Sequence, residues 1–337
     1  MGGIYEVGIG TTDADSLIKY WIQFGYRQGQ TGELTADVAW KLYGVESKLR
    51  SIRLNHQDAD HGLIRLFVWD KPKNNGLQLS NLKLLGNRWG AMLTKDICQL
   101  QNHAEEAIEQ QLPIYLVPPI RSEIYKLKRR PVPFLENYPS VREMCLIQPL
   151  TRQVFFQRFG YNLPFYGQVN ESSFFKTSQI THFGMVIYDD AEYLRFYDNV
   201  LGLRRGVDQK PGASTFDDPS ARAMFSLEPT ETYSTTDFDD PHSSTTDPQN
   251  PRSGRLKIIR FPPETKLENK INFANPGSLG YSLYTLRVNN IEKYHLKLKQ
   301  STATNVTHIY SNEFNEQSFS FIAPDGYFWT VLQPNLS

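Results

Sequence analysis

Residues Ile180 to Arg204 read ITHFGMVIYDDAEYLRFYDNVLGLR. An apolar run that opens on His182 gives way to two aspartates, then to apolar residues at helical spacing, then to a Leu-Gly-Leu stop. Strand alternation sets His182, Gly184 and Val186 on one face and Phe183, Met185 and Ile187 on the other. Asp189 or Asp190 is placed to cap the helix, Leu194, Tyr197 and Leu201 form its apolar stripe, and Gly202 ends it.

The same design lies 177 positions earlier, where IYEVGIGTTDADSLIKYWIQFGYRQG sets Tyr20 under Tyr197, Phe24 under Leu201 and Gly25 under Gly202. Thr12 or Asp13 is the matching cap. Weaker copies begin at Arg88 and Gly280. The closing strands also recur: GLIRLFVWDKP and GRLKIIRFPP end the first and third copies, and CLIQP and TVLQP end the second and fourth. A period of roughly 75–100 residues exceeds the ~20–50 of a solenoid repeat, so each unit reads as a half-domain that must pair to bury its sheet. Pairing consecutive units predicts an α+β protein with an amino-terminal domain over 1–157, a linker over 158–179 and a carboxyl-terminal domain over 180–337. The Ser-, Thr-, Asp- and Pro-rich stretch 228–253 reads as a long loop beside the second domain's hollow.

The chain has 337 residues, 39% of them hydrophobic and 13% aromatic, with a mean hydropathy of -0.48, which suits a globular protein with many rings to bury. Lys plus Arg and Asp plus Glu are both 36, so no global field draws nucleic acid or anionic lipid. No apolar run reaches the ~18 residues a membrane span needs. Two cysteines, Cys98 and Cys145, are too few for a disulfide framework and suit a reducing compartment, so the cytoplasm is expected. Cys145 reads as a small buried filler. A basic run at Arg121, Lys126, Lys128, Arg129 and Arg130 reads as a solvated loop, with a contact for an anionic ligand or partner as the alternative. The Gly8-Ile9-Gly10 triplet lacks the third glycine and the acidic residue of a dinucleotide fingerprint.

Four such units resemble the vicinal oxygen chelate superfamily, the glyoxalase, bleomycin-resistance and extradiol dioxygenase group, whose module is βαβββ. The resemblance rests on THFGMVIYDDAEYLRFYDNVLGL and on IAPDGYFWTVLQP, Ile322 to Pro334. It implies a cup within each pair of modules, where metal-dependent members hold a divalent ion such as Fe2+ or Zn2+ by first-strand side chains and a closing-strand carboxylate. Carried over residue by residue, the first-strand position of the third module is His182, that of the fourth is Ser282, and the expected carboxylate is Thr330. One ligand of three survives, so a metal cofactor is disfavoured. In the amino-terminal pair the matching positions are about Tyr5, Arg65, Arg88 and Cys145, and two cations there repel an ion.

These readings predict a small-molecule enzyme, as in secondary metabolism, working by metal-independent proton transfer: isomerisation, elimination or cyclisation of an organic metabolite, aromatic ones included. His182 would move the proton while Ser282 and Thr330 assist, and Tyr284, Phe183, Lys257 and Trp329 would hold the substrate. A buried, hydrogen-bonded structural histidine is the competing account of His182. A protein that sequesters a small ligand unchanged is the first alternative, and a metal-dependent dioxygenase or lyase the second. Neither nucleic acid nor membrane is expected as a partner; a homodimer is compatible with the sequence.

Overall fold

The computed structural model describes residues 2–124, 130–132, 135–209, 218–247 and 250–334. Of the basic run, Lys126, Lys128 and Arg129 lie outside the described residues, while Arg121 and Arg130 belong to strands, Tyr115–Glu123 and Arg130–Val132, and not to a loop. Four modules follow one another, each a strand, a helix and three further strands. The first has β1 (Ile4–Thr11), α1 (Ala14–Ile22), β2 (Tyr26–Leu34), an added α2 (Ala36–Tyr43), β3 (Leu49–His56) and β4 (Leu63–Trp69). The second has β5 (Arg88–Thr94), α3 (Ile97–Glu109), β6 (Tyr115–Glu123), β7 (Ser140–Ile147) and β8 (Arg152–Phe159). The third has β9 (Thr177–Tyr188), α4 (Ala191–Arg195), β10 (Arg204–Gln209), an added α5 (Pro219–Met224), β11 (Ser234–Asp239) and β12 (Arg255–Phe261). The fourth has β13 (Gly280–Arg287), α6 (Ile291–Lys299), β14 (Tyr310–Ser311), β15 (Gln317–Ile322) and β16 (Phe328–Gln333).

The module starts are built as their residues dictate. Asp13, Asp96, Asp190 and Asn290 each accept a hydrogen bond from a backbone N–H in the first turn of the following helix, which satisfies a donor the helix itself leaves open. Gly25 and Gly202 follow α1 and the α4 segment with φ of 90° and 70°. Those are left-handed conformations that glycine takes without a side-chain clash.

Two eight-stranded sheets result, one ordered β14-β15-β16-β13-β1-β4-β3-β2 and the other β10-β11-β12-β9-β5-β8-β7-β6. The first module therefore pairs with the fourth, and the second with the third. This corrects the division into 1–157 and 180–337, which separates modules that share a sheet. The physical reason is that all four first strands offer equivalent edges, so the local pattern demands paired modules without saying which pair. Gly10 helps to fix the choice: against β13, a Cβ there would fall 2.0 Å from the Ser278 carbonyl oxygen. The glycine triplet is thus a strand-crossing device.

Both sheets turn one face to a single continuous core. It contains Trp21, Phe24, Leu100, Tyr197 and Leu298 from the helices, and Phe155, Phe183, Met185, Leu286 and Trp329 from the strands. Tyr284 of one sheet donates to the Gly184 carbonyl of the other at 2.6 Å, and Tyr327 donates to the Val186 carbonyl at 2.6 Å. Phe175, within the expected linker, stacks on Phe24 in this core. The opposite, concave face of each sheet carries its own apolar cluster, capped by α5 over one sheet and by α2 over the other.

The stretch 228–253 is not one long loop. Ser234–Asp239 forms β11, buried throughout and paired on both sides. Thr235, Thr236 and Phe238 favour a strand, and the acidic residues that suggested solvent exposure, Asp237 and Asp239, are neutralised by Arg255.

Candidate functional site

The concave face of the β5–β12 sheet gathers polar groups from three strands and from α5. Val141, Cys145 and Ile147 of β7 point into its apolar cluster, which places Glu143 in the same inward row. His182 on β9 and Lys257 on β12 stand beside it, with Lys257 paired in register to Gly184. Asp218-Pro219-Ser220 starts α5 as a capping residue followed by proline, and the helix lays Ser220, Ala221 and Met224 across the hollow.

His182 is 9% exposed. Its Nδ1 lies 2.7 Å from the Tyr166 hydroxyl and 3.2 Å from Thr181 Oγ1. Thr181 gives its own proton to the Ala91 carbonyl at 2.9 Å, so the hydroxyl hydrogen on Nδ1 comes from Tyr166. That leaves the ring proton on Nε2, which becomes a hydrogen-bond donor. Burial, then the charges of Lys257, Arg255 and Arg158, hold the imidazole pKa well below its usual value, so the ring is neutral.

Glu143 faces the opposite perturbation. Burial, then the nearby Asp218 carboxylate, raises its pKa toward the protonated form. Ser220 ties the two carboxyl groups together, with its Oγ 2.5 Å from Glu143 Oε2 and 2.9 Å from Asp218 Oδ1. Ser122 holds Asp218 from the other side. Neither Glu143, Asp218, Ser220 nor Tyr166 was singled out from the sequence. The signal for Glu143 was present all the same, as a charge in the inward row of an alternating strand.

Between these groups the free volume is about 30 Å³, room for one or two water molecules. Trp89, Leu82, Val154, Phe225 and Ile259 form its apolar wall. Gly184 leaves no space for a ligand beside the imidazole. The Trp89 indole fills the gap so closely that a Cβ at Gly184 would lie 1.9 Å from it.

The other concave face is closed by charge. Glu6 of β1, fully buried, receives Arg53 Nε at 2.9 Å and is also paired to Arg65. Arg53 grips Glu316 with two bonds of 3.1 and 2.9 Å, and Glu313 accepts from Tyr43 of α2 at 2.9 Å and from Ser51 at 2.6 Å. The Phe314 ring covers Arg53 at 4.2 Å. Arg65 pairs in register with Gly8 as Lys257 does with Gly184, so each hollow does carry a cation at the equivalent place. Arg65 is spent on structure.

The remaining predicted residues are not assembled around His182. Ser282 and Thr330 belong to the β1–β4 and β13–β16 sheet, where Ser282 donates to the Gly8 carbonyl at 3.2 Å and Thr330 shares a 2.7 Å bond with Thr285. Tyr284, Phe183 and Trp329 pack on one another in the common core, with ring centroids 5.1 and 5.6 Å apart. They face the core and not the His182 hollow. The error follows from the pairing: His182 and Ser282 were matched as partners in one cup, and they lie in different sheets. Lys257 alone of the proposed substrate contacts stands beside His182. Cys145 is fully buried, and burial pushes its thiol up to about 12, as a filler requires.

A divalent ion does not fit the groups present. Among the described residues no three His, Cys, Asp or Glu side chains converge as ligands. In the His182 hollow a lysine stands across from the histidine, and in the other the carboxylates already hold two guanidinium groups. Among the described residues no helix is long and apolar enough to cross a membrane.

No family model matches the sequence, and no curated protein matches it in sequence. Solved structures do match in fold. Glyoxalase I from Zea mays superposes with a TM-score of 0.54 at 12% identity, over 99% of this chain and 92% of its own. A Bacillus subtilis protein titled as a candidate dioxygenase gives 0.55 at 9% identity, over 99% and 86%. Four βαβββ modules paired into two curled sheets, matched along almost the whole chain by these structures, give this protein the vicinal oxygen chelate fold.

Proposed function

We propose that the chain is a small-molecule enzyme of the vicinal oxygen chelate type, with its working hollow between the second and third modules and proton transfer carried out by side chains. One observation carries this reading: a carboxyl group shifted toward its protonated form, a neutral imidazole and an ammonium group converge, beside Asp218 and Ser220, on a cavity with apolar walls. Glu143 gives a proton to one atom of the substrate and recovers one from another. Lys257 and the Nε2–H of His182 donate to an oxygen of the substrate and fix which of its atoms face Glu143 while one proton is given and another is taken back. The proton given and the proton taken balance, as isomerisation or ring closure requires. Trp89 and Phe225 supply flat apolar surface for an unsaturated or aromatic substrate.

His182 therefore acts as a donor rather than as the base expected from the sequence. Because about 30 Å³ holds no organic molecule, substrate entry moves α5 away from the sheet. The second reading, in which a ligand is gripped under α5 and released unchanged, needs the same movement.

The test is incubation with a metabolite mixture in D2O, followed by mass spectrometry. A compound that is isomerised or takes up deuterium, with the rate lost in Glu143→Gln and in Lys257→Met, supports the enzyme. A compound retained by the protein and recovered without deuterium or rearrangement supports sequestration instead.

A further inference from the structure

A second cavity lies outside both hollows. Its walls are the start of β1 at Gly2–Tyr5, Asp60 and His61 between β3 and β4, Asp240–His242 after β11, and Arg287–Asn289 at the end of β13. Three of the four modules contribute to it. The volume is about 480 Å³, within the range of small-molecule sites.

Its charges have an unusual distribution. The Arg287 guanidinium stacks over the Tyr5 ring at 5.6 Å and pairs with no carboxylate among the described residues. Asp240 is buried and fixed, accepting from Gly3 N at 2.7 Å, from His242 N at 2.8 Å and near His242 Nδ1 at 2.9 Å. Asp60 meets His61 Nδ1 at 2.5 Å through one oxygen, and its side chain is 79% exposed. On the other side of the same ring, His61 Nε2 is buried without a hydrogen-bond partner. Buried, that nitrogen is out of a guest's reach, and the ring serves to hold Asp60 in place at the cavity edge.

Neither a simple anion nor a simple cation satisfies this set. Two carboxylates repel an anion that Arg287 would attract, and Arg287 repels a cation that the carboxylates would attract. The acidic and imidazole groups do not converge as metal ligands either. We infer that this cavity binds a small zwitterion of the α-amino acid type, its carboxylate on the Arg287 fork and its ammonium group on Asp60 and Asp240. Bidentate guanidinium–carboxylate pairing and a charge-assisted ammonium bond are the strong forms of each contact.

The experiment uses the full chain with each of the twenty proteinogenic α-amino acids in a thermal-shift series, followed by calorimetry of every compound that stabilises it. At least one is expected to bind, its N-acetyl and carboxamide derivatives are not, and Arg287→Gln and Asp60→Asn should each weaken it about tenfold or more. Lys257→Met, in the other hollow, should leave the affinity unchanged. Arg287 and Asp60 are both exposed, so neither substitution threatens folding. No stabilisation by any of the twenty, equal binding of a blocked derivative, or unchanged affinity in Arg287→Gln would each overturn the inference.

Discussion

Replacing Glu6 by Gln tests whether the hollow between the first and fourth modules is closed by charge. Glu6 is the only carboxylate bonded to both Arg53 and Arg65 among the described residues. Without its charge Arg53 keeps Glu316, but Arg65, at 1% exposure, keeps the neutral Tyr43 hydroxyl at 3.0 Å and only one carboxylate, Glu313 at 3.5 Å. Breaking a buried pair by removing one partner costs about 3–5 kcal/mol, far above the ~1 kcal/mol ceiling of exposed pairs. For a chain of this size that corresponds to a fall of roughly 4–7 °C in Tm. Arg65→Met in the same background removes the stranded charge, so the double variant should regain much of the loss. Urea midpoints and slopes of the wild type, the two single variants and the double variant complete the cycle. A loss below about 1 kcal/mol for Glu6→Gln, or two strictly additive losses, would show that water reaches these charges and that the hollow is open.

Other expectations follow from the same structure. His56 is fully buried, and burial lowers its pKa from 6.5 to about 4. The unfolded chain therefore takes up this proton first as the pH falls, and the stabilisation, complete above pH 6.5, drains away between 6.5 and about 4. The gap amounts to roughly 3 kcal/mol, and a denaturation series across that window should flatten by about this much in His56→Gln. Gly184→Ala places a methyl group inside the Trp89 ring and should cost about 1–3 kcal/mol and shift the indole fluorescence; unchanged stability and spectrum would mean that the two strands cross differently. Metal analysis of protein purified without a chelator should find less than one divalent ion per chain. A stoichiometric ion lost on His182→Ala would reinstate the metal-dependent reading.

The module was legible because it is written locally. Alternation through His182, Gly184 and Val186, the caps at Asp13 and Asp190, and the stops at Gly25 and Gly202 all concern neighbours in sequence. Module pairing was not legible, since it depends on which of four similar strand edges meet, and that rests on contacts such as Gly10 against Ser278, 268 positions apart. The same limit hid β11, whose acidic residues read as solvent-facing until Arg255 is brought beside them. It also misassigned the site. His182 and Lys257 share one module and were found together, whereas Glu143 belongs to another module and joined them only through the sheet.

Hydrogen–deuterium exchange of the chain with a compound it turns over or retains tests most directly which hollow works. Slower exchange confined to β9, β12 and α5 is the expected result, and its loss in Lys257→Met would bind the effect to that hollow. Protection confined to β1, β4 and α2, with the second and third modules unaffected, would contradict the account.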